Sequence, residues 1–384
     1  MSKPIVIIGA GQCGLKAVET LRQSGYEDAI VLIGDETQPP YQRPPLSKAF
    51  LKGELEEDRL YLKADNFYDD FNVTTQFGIS AKSINRAEKS ILLSNGEMVE
   101  YDKLLISTGT VARQIPLEGA DLKGVFTLRT IDDVKHLSAA IAPDMKIGII
   151  GAGYIGLEVA ASLRGRGNEI TVIEAAPRVL ARVMPQEMSA YFQSLHEGHG
   201  VKFHIGAGTK AIQGDGKVEE IILDDGTKVP CDIVLLSVGA TPVIGLAEAA
   251  GLKIDNGIAV NEMAQTSDSD IYAAGDCASF FSTRYDRNIR LESVQNAIDQ
   301  GKIAAQAMMG QDVSYNPLPW FWSDQYDVKL QIAGLSQGFD RLEIEGDMPG
   351  NSFTVTYFKD DTAICVDAVN QPRAHMMARR SLNT

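Results

Sequence analysis

Two stretches of this chain have the residue types and spacing to bind a nucleotide pyrophosphate. The first is Val6-Ile7-Ile8-Gly9-Ala10-Gly11-Gln12-Cys13-Gly14; the second, about 140 residues on, is Ile147-Gly148-Ile149-Ile150-Gly151-Ala152-Gly153-Tyr154-Ile155-Gly156. In each, the first glycine permits a tight turn, the second lets phosphate approach the backbone, and the third lets a helix pack on the preceding strand. Free amides and the helix dipole then face the anion. Asp35 lies about 20 residues beyond the end of its turn, where a carboxylate accepts ribose hydroxyls. Glu174 follows the second turn in the same way. A carboxylate there binds the 2′-hydroxyl of NAD and repels the 2′-phosphate of NADP. Arg178 and Arg182 lie just beyond and are able to bind a phosphate, but neither directly follows the strand, so NAD is expected. A chain that builds this turn twice is expected to hold two dinucleotides. A flavin with a nicotinamide is the pairing that moves electrons.

Five further positions carry possible chemistry. Lys48 ends a proline-braced segment, Gln38-Pro39-Pro40-Tyr41-Gln42-Arg43-Pro44-Pro45-Leu46-Ser47-Lys48. Glu158 sits one turn into the second nucleotide helix beside Ile155, Leu157 and Val159. It is either a solvent-facing acid or a buried carboxylate that requires a partner. Asp276, in Gly275-Asp276-Cys277, either caps a following helix or bonds a ribityl hydroxyl of the flavin. Trp320 and Trp322 fall on one face if extended, as aromatic core or as a lid over a flat cofactor.

The elements that must position these groups follow one grammar, used twice. Strand Ile5–Ile8, the glycine turn, a helix over about Leu15–Ser24 and strand Ile30–Ile33 make the first βαβ unit. Strands near Val73–Gln76 and Ser90–Leu93 read as a hairpin-rich insert with a turn at Asn95-Gly96. Tyr101–Ser107 reads as a buried strand ending at Thr108-Gly109. The second unit runs through strand Lys146–Ile150, a helix to about Arg164, strand Ile170–Ile173, and later strands, the last ending at Val238-Gly239-Ala240. The first unit resumes with the short strand Ile271–Ala274 and a helix over about Ser293–Met309, so the second reads as an insertion within it. The expected division is 1-112 with 242-318 for the FAD-binding domain, 113-241 for the NAD-binding domain and 319-384 for a small α+β C-terminal domain.

Composition narrows the function classes. Net charge is −15, which disfavours nucleic acid as a partner. No apolar run approaches a membrane span, and Met1-Ser2-Lys3-Pro4 leads straight into the first strand, so a cytoplasmic protein is expected. Cys13, Cys231, Cys277 and Cys365 are scattered, with no Cys-x-x-Cys. That spacing encodes no zinc ribbon and no local redox disulfide, and no metal site is expected. Positive charge gathers at Arg284, Arg287 and Arg290, and again after Asp367 at Arg373, Arg379 and Arg380. Each arginine taken singly is most simply solvated surface.

Several longer motifs are shared with one family: Arg43-Pro44-Pro45-Leu46-Ser47-Lys48, Leu128-Arg129-Thr130, Gly153-Tyr154-Ile155-Gly156-Leu157-Glu158, Gly275-Asp276-Cys277, Glu292-Ser293-Val294 and, most discriminating, Trp320-Phe321-Trp322-Ser323-Asp324-Gln325. Across nearly its whole length the chain resembles the NADH-dependent ferredoxin reductases of bacterial oxygenase systems, within the pyridine-nucleotide-disulfide oxidoreductase superfamily. The resemblance implies a glutathione-reductase-like α/β fold with two Rossmann-type domains. It implies FAD held by Gly9, Gly11, Cys13, Gly14, Asp35, Arg43, Lys48, Ala81, Arg129, Asp276 and Val294, with Thr108, Gly109 and Trp320 completing the expected set. The NAD set is Gly151, Gly153, Tyr154, Ile155, Gly156, Glu158, Glu174, Arg182 and Gly239. Lys48 would lie by the flavin ring and pair with Glu158, these two being the expected catalytic residues, and Trp320 would lie near the nicotinamide. The implied partner is an acidic two-iron ferredoxin feeding an oxygenase. It would dock on Arg284, Arg287, Arg290, Lys302 and Arg373, of which the resemblance favours Lys302. Family members often run longer at the C-terminus than Leu382-Asn383-Thr384. The rivals are a disulfide reductase, a rubredoxin reductase, an NADH oxidase, and an NADH-responsive flavoprotein like apoptosis-inducing factor.

Overall fold

The computed structural model describes residues 3–383; Met1, Ser2 and Thr384, the extreme ends of the expected first and last domains, lie outside the described residues. The chain forms two compact units. One comprises Met1–Gln42, Tyr61–Val111 and Thr241–Phe321, the other Arg43–Leu60, Ala112–Ala240 and Trp322–Thr384.

The first unit is built on a five-stranded parallel sheet in the order Ile271–Ala273, Lys103–Ile106, Ile5–Ile8, Ile30–Gly34, Val73–Phe77. The central strands are unbroken aliphatic runs, Ile-Val-Ile-Ile and Ile-Val-Leu-Ile, and they are buried on both faces, the pattern of a sheet covered on both sides. The first strand of the chain lies in the middle. The chain leaves it in one direction for Ile30–Gly34 and later returns on its other side, so a crevice opens at its carboxyl end. Helix Gln12–Gln23 and helix Val294–Met308 share one core, through Ala17, Val18 and Leu21 on the first and Ala304, Ala305 and Met308 on the second. Val73–Phe77 is an edge strand of this parallel sheet rather than part of a hairpin insert. The antiparallel insert is Ala81–Asn85, Ser90–Leu93 and Met98–Glu100, with Gly96 at positive φ in its second turn.

The second unit repeats the architecture. Its parallel sheet runs Lys202–Ile205, Glu169–Glu174, Lys146–Ile150, Ile233–Leu236, Val125–Phe126. Helix Tyr154–Arg164 follows the central strand and is buried at every position from Gly156 to Ser162. A helix apolar all round belongs inside a protein. The C-terminal part adds an antiparallel sheet in the order Trp320–Gln325, Val328–Gly334, Thr362–Val369, Ser352–Lys359, Arg341–Asp347, followed by helix Pro372–Ser381. The expected α/β class with a small α+β C-terminal part is what the chain adopts. No helix among the described residues is long and apolar enough to cross a membrane.

Candidate functional site

In the first unit the glycine turn is forced by its surroundings. Gly9 has φ +112°, and a Cβ there would lie 2.1 Å from the Ser107 carbonyl oxygen. A Cβ on Gly14 would meet the Gly9 oxygen at 2.1 Å, so the helix packs on the turn only with glycine. Gly11 differs: a Cβ there meets nothing within 4 Å, leaving open space above the backbone. Gly11 is also the N-cap of helix Gln12–Gln23, with no side-chain cap and no acid in the first turn. An uncapped helix N-terminus facing open space fits a pyrophosphate. Asp35 is exposed, one residue past the second strand, where an adenosine ribose would meet it.

The other expected FAD residues of this unit lie on separate segments. Cys13 packs on Gly275, where a Cβ would lie 3.2 Å from its own, and burial, then Cys277 and Asp276, push its thiol well up. The Gly275 amide donates to Gln300 Oε1 at 2.8 Å. Asp276 Oδ2 accepts from Thr110 Oγ1 at 3.3 Å. Asp276 caps no helix: strand Ala278–Ser282 follows it, and the nearby helix Val294–Met308 is capped by Ser293, whose hydroxyl accepts from the Asn296 amide. That removes one of the two readings of Asp276. Thr108 Oγ1 donates to the Val243 carbonyl at 2.7 Å, and Gly109 has φ +66°. Ala81 opens the insert's first strand, and Trp320 begins strand Trp320–Gln325, half-buried. Among the docking candidates Lys302 and Arg373 are exposed. Arg290 is spent internally, on the Asp276 carbonyl at 3.0 Å and Glu292 at 2.6 Å, and the Arg287 guanidinium lies over the Tyr285 ring.

The second unit carries the same turn. Gly151 has φ +105°, with a Cβ 2.3 Å from the Ser237 oxygen; Gly156 meets the Gly151 oxygen at 2.2 Å; Gly153 opens onto free space and caps its helix without a side chain. Exposed Ile155 and half-buried Tyr154 flank this opening. Burial, then Asp367, Cys365 and Glu158, push the Tyr154 phenol well up. Glu174 ends its strand with the carboxylate turned to the glycine turn: Oε2 accepts from the Ala152 amide at 2.7 Å and Oε1 from the Ala176 amide at 2.8 Å. A fixed carboxylate at that point suits a ribose diol and opposes a phosphate. Arg178 is occupied by Met184 O, Ser189 Oγ and Ala181 O. Arg182 is exposed, its guanidinium 3.3 Å from the Cβ position of Gly239.

Arg43, Lys48 and Arg129, expected as FAD residues, belong to this second unit. Arg43 Nη1 donates to the Arg129 carbonyl at 2.8 Å. The capping box of Thr130 and Asp133 fixes the Arg129 backbone. The tight turn Pro44–Ser47 brings Ser47 and Lys48 against helix Tyr154–Arg164. Lys48 Nζ lies 2.7 Å from Glu158 Oε2 and donates also to the Pro44 carbonyl at 3.2 Å. Glu158 is 2% exposed and Lys48 18%, so the buried reading of Glu158 holds. Ser47 donates to Glu158 Oε2 at 2.5 Å and Ser323 to Oε1 at 2.7 Å. These two hydroxyls were not expected from the sequence. The carboxylate therefore has three donors, the arrangement a buried charge requires.

All four cysteines are free and buried. Burial is the first cause of an upward shift at each, reaching about 12 for Cys231. Such thiols are poor nucleophiles. Among the described residues no cluster of His, Cys, Asp and Glu could hold a metal ion.

Residues 3–301 match the family model "Pyridine nucleotide-disulphide oxidoreductase", and residues 320–384 match "Reductase C-terminal". The chain is 40% identical to rhodocoxin reductase of Rhodococcus erythropolis, over 99% of this chain and 89% of that protein. It is 39% identical to putidaredoxin reductase CamA of Pseudomonas putida, over 96% of this chain and 89% of that protein. The crystal structure of the covalent putidaredoxin reductase–putidaredoxin complex superposes with a TM-score of 0.96 at 37% identity, covering 99% of this chain and 93% of that one.

Proposed function

Because the chain belongs to the pyridine nucleotide-disulphide oxidoreductase family, we propose that it is an FAD-dependent NADH:ferredoxin reductase whose acidic two-iron ferredoxin serves an oxygenase. Bound FAD supplies the conversion between the two-electron chemistry of NADH and the one-electron chemistry of an iron–sulfur protein. The protein contributes binding, orientation and electrostatics. Gly9, Gly11 and Gly14 hold the FAD pyrophosphate at the first helix N-terminus, and Asp35 accepts from its ribose. Cys13, Arg43, Ala81, Thr108, Gly109, Arg129, Asp276, Val294 and Trp320 are the further residues assigned to this cofactor. Gly151, Gly153 and Gly156 do the same for NADH with Tyr154, Ile155, Arg182 and Gly239 around them, and Glu174 selects it over NADPH. Lys48 and Glu158 work at the flavin ring, where Glu158 fixes the ammonium in place.

The observation that carries this reading is the pair of uncapped glycine turns opening onto free space. The four buried, unreactive thiols set aside a disulfide reductase. Four free cysteines also fit a reducing compartment, and we place the protein in the cytoplasm on that ground.

The test is a steady-state assay of the purified, yellow holoprotein with NADH and a two-iron ferredoxin, beside a rubredoxin and oxygen alone. Rapid ferredoxin turnover with one non-covalent FAD per chain is expected. A folded, colourless protein that takes up no FAD refutes the cofactor assignment. Preference for rubredoxin refutes the ferredoxin assignment, and a reduced flavin–NAD complex that persists in the presence of acceptor indicates a sensor.

A further inference from the structure

Glu158 is the end of a longer chain of hydrogen bonds, all within the second unit. Ser323 Oγ lies 2.7 Å from Glu158 Oε1, Gln325 Nε2 3.2 Å from Ser323 Oγ, and Gln325 Oε1 2.8 Å from His196 Nε2. Beyond it, Tyr326 Oη lies 3.2 Å from His196 Nδ1. Ser323 and Gln325 are 1% exposed and His196 is fully buried. The direction of every bond follows from the first. An ionised carboxylate only accepts, so Ser323 donates to it. The Ser323 oxygen then accepts from the Gln325 amide, which leaves the Gln325 carbonyl to accept from His196 Nε2–H. That fixes the tautomer of His196, so Nδ1 accepts the Tyr326 hydroxyl.

We infer that His196 is a positioning residue for Glu158: through Gln325 and Ser323 it holds the carboxylate as a fixed acceptor for Lys48. The inference rests on the reading of Lys48 and Glu158 as the flavin-side pair. Bonds aligned head to tail polarise one another, so each donor in the chain strengthens the hold on the carboxylate. A neutral ring completes the chain, because His⁺ would donate from both nitrogens and could not accept from Tyr326. Its surroundings keep it so. Burial is the leading cause that depresses His196 to about 4, and the Gln325 bond opposes this while His199 adds to it. The groups facing the ring are Gln325, Tyr326, the edge-on ring of Phe203, and His199, which stacks on Tyr326 at 3.7 Å. Arg164 faces Tyr326 in turn. At the far end, Lys48, Ser47 and Tyr154 face Glu158. Sequence offers no sign of this connection, since His196 and Gln325 are 129 residues apart.

The test labels the five histidines of the holoprotein with ¹⁵N and reads the ring nitrogens by long-range ¹H–¹⁵N correlation from pH 8 to 5, with His196→Gln identifying the signal. A single neutral Nε2–H tautomer is expected across this range, becoming a tautomer mixture in Ser323→Ala, where the Gln325 amide is released. An Nδ1–H ring, a ring titrating near the ordinary value of about 6.5, or a signal indifferent to Ser323→Ala overturns the inference. A second arm compares NADH-driven ferricyanide reduction. In His196→Phe the acid limb of the rate profile moves to higher pH by about half a unit, and His196→Gln, which keeps a donor, restores it. Superimposable profiles for His196→Phe and wild type also overturn it. Should His196→Phe fail to fold, Tyr326→Phe removes only the last hydroxyl: the Gln325 carbonyl still sets the tautomer, so a ring that keeps Nε2–H supports the chain, and a ring that turns to Nδ1–H or to a mixture refutes it. Flavin reduction in Lys48→Met tests the flavin-side reading by itself, while the tautomer judges the chain whether or not that reading survives.

Discussion

Lys48→Met is the perturbation that asks most of the structure. It removes the ammonium and keeps most of the side-chain volume, leaving Glu158, 2% exposed, without its countercharge. Removing one partner of a buried pair typically costs about 3–5 kcal/mol. Ser47 and Ser323 still donate to the carboxylate, which places the loss at the lower end, near 3 kcal/mol by the same rule. Glu158→Gln is expected to cost less, about 1–2 kcal/mol. Lys48 is more exposed, at 18%, and keeps the Pro44 carbonyl as an acceptor. The double variant then costs no more than Lys48→Met alone, giving a coupling energy of about 1–2 kcal/mol. Urea unfolding of the holoproteins, followed by FAD fluorescence and circular dichroism, measures these differences. Stopped-flow reduction by NADH supplies the functional half: Lys48→Met slows flavin reduction by about tenfold or more while FAD stoichiometry stays at one. A Lys48→Met cost below about 1 kcal/mol, an additive double variant, or an unchanged reduction rate refutes the assignment of a buried, functional pair.

Three further outcomes follow from the geometry. Glu174→Arg replaces a carboxylate held by two amides and is expected to shift the NADPH/NADH ratio of kcat/KM towards NADPH by about 10–100-fold; a wild-type preference for NADPH transfers the role to Arg182, since Arg178 is spent internally. Asp367 is fully enclosed and accepts from Tyr357 at 2.5 Å; burial raises it to about 7. The folded state therefore binds this proton more tightly than the unfolded chain, whose carboxyl titrates near 3.9, and the associated stability, present in full below about 4, is lost as pH rises through about 7. Asp367→Asn should gain on wild type by up to about 4 kcal/mol above that window, and Tm curves for the two proteins that stay parallel from pH 5 to 8.5 would falsify this. Reversing Arg284, Arg287, Lys302 and Arg373 to Glu should raise KM for ferredoxin and flatten its salt dependence while leaving ferricyanide reduction unchanged; adding Arg290, which is bound to Asp276 and Glu292, should add least. Unaltered ferredoxin turnover with all five reversed places docking elsewhere.

What could be read in the sequence was whatever backbone geometry imposes on residue type. Gly9, Gly14, Gly151 and Gly156 have no substitute because a Cβ at each would lie within about 2.3 Å of a carbonyl oxygen, and that constraint leaves a fixed spacing in the chain. The central strands were legible for a related reason: burial on both faces demands unbroken aliphatic runs. The place of Val73–Phe77 in the parallel sheet is not legible, because it is a sheet edge with only Val73 buried and half-covered strands in parallel and antiparallel sheets look alike in sequence. Asp276 stays ambiguous in sequence because the strand after it, Ala-Ser-Phe-Phe-Ser, is only five residues long and too short to show a period.

The burial of Glu158 is legible in its own helix. The helix Tyr-Ile-Gly-Leu-Glu-Val-Ala-Ala-Ser-Leu-Arg offers no polar face before Arg164, so its glutamate had nowhere solvent-facing to point. A carboxylate in such a helix needs several donors, and one lysine supplies only part of them. The remainder came from Ser47, 111 residues away, and Ser323, 165 residues away. Serines at such separations carry no periodicity or spacing, and only the fold identifies them. Both nevertheless lie in segments singled out for other reasons, the proline-braced turn and the stretch Trp320–Gln325. A buried charge requires several donors, and those of Glu158 lie in these two segments. The hydroxyl of Ser323 is oriented in turn by Gln325, and Gln325 by His196, so the donors of one carboxylate extend through the fold to a ring that no spacing in the sequence connects to it.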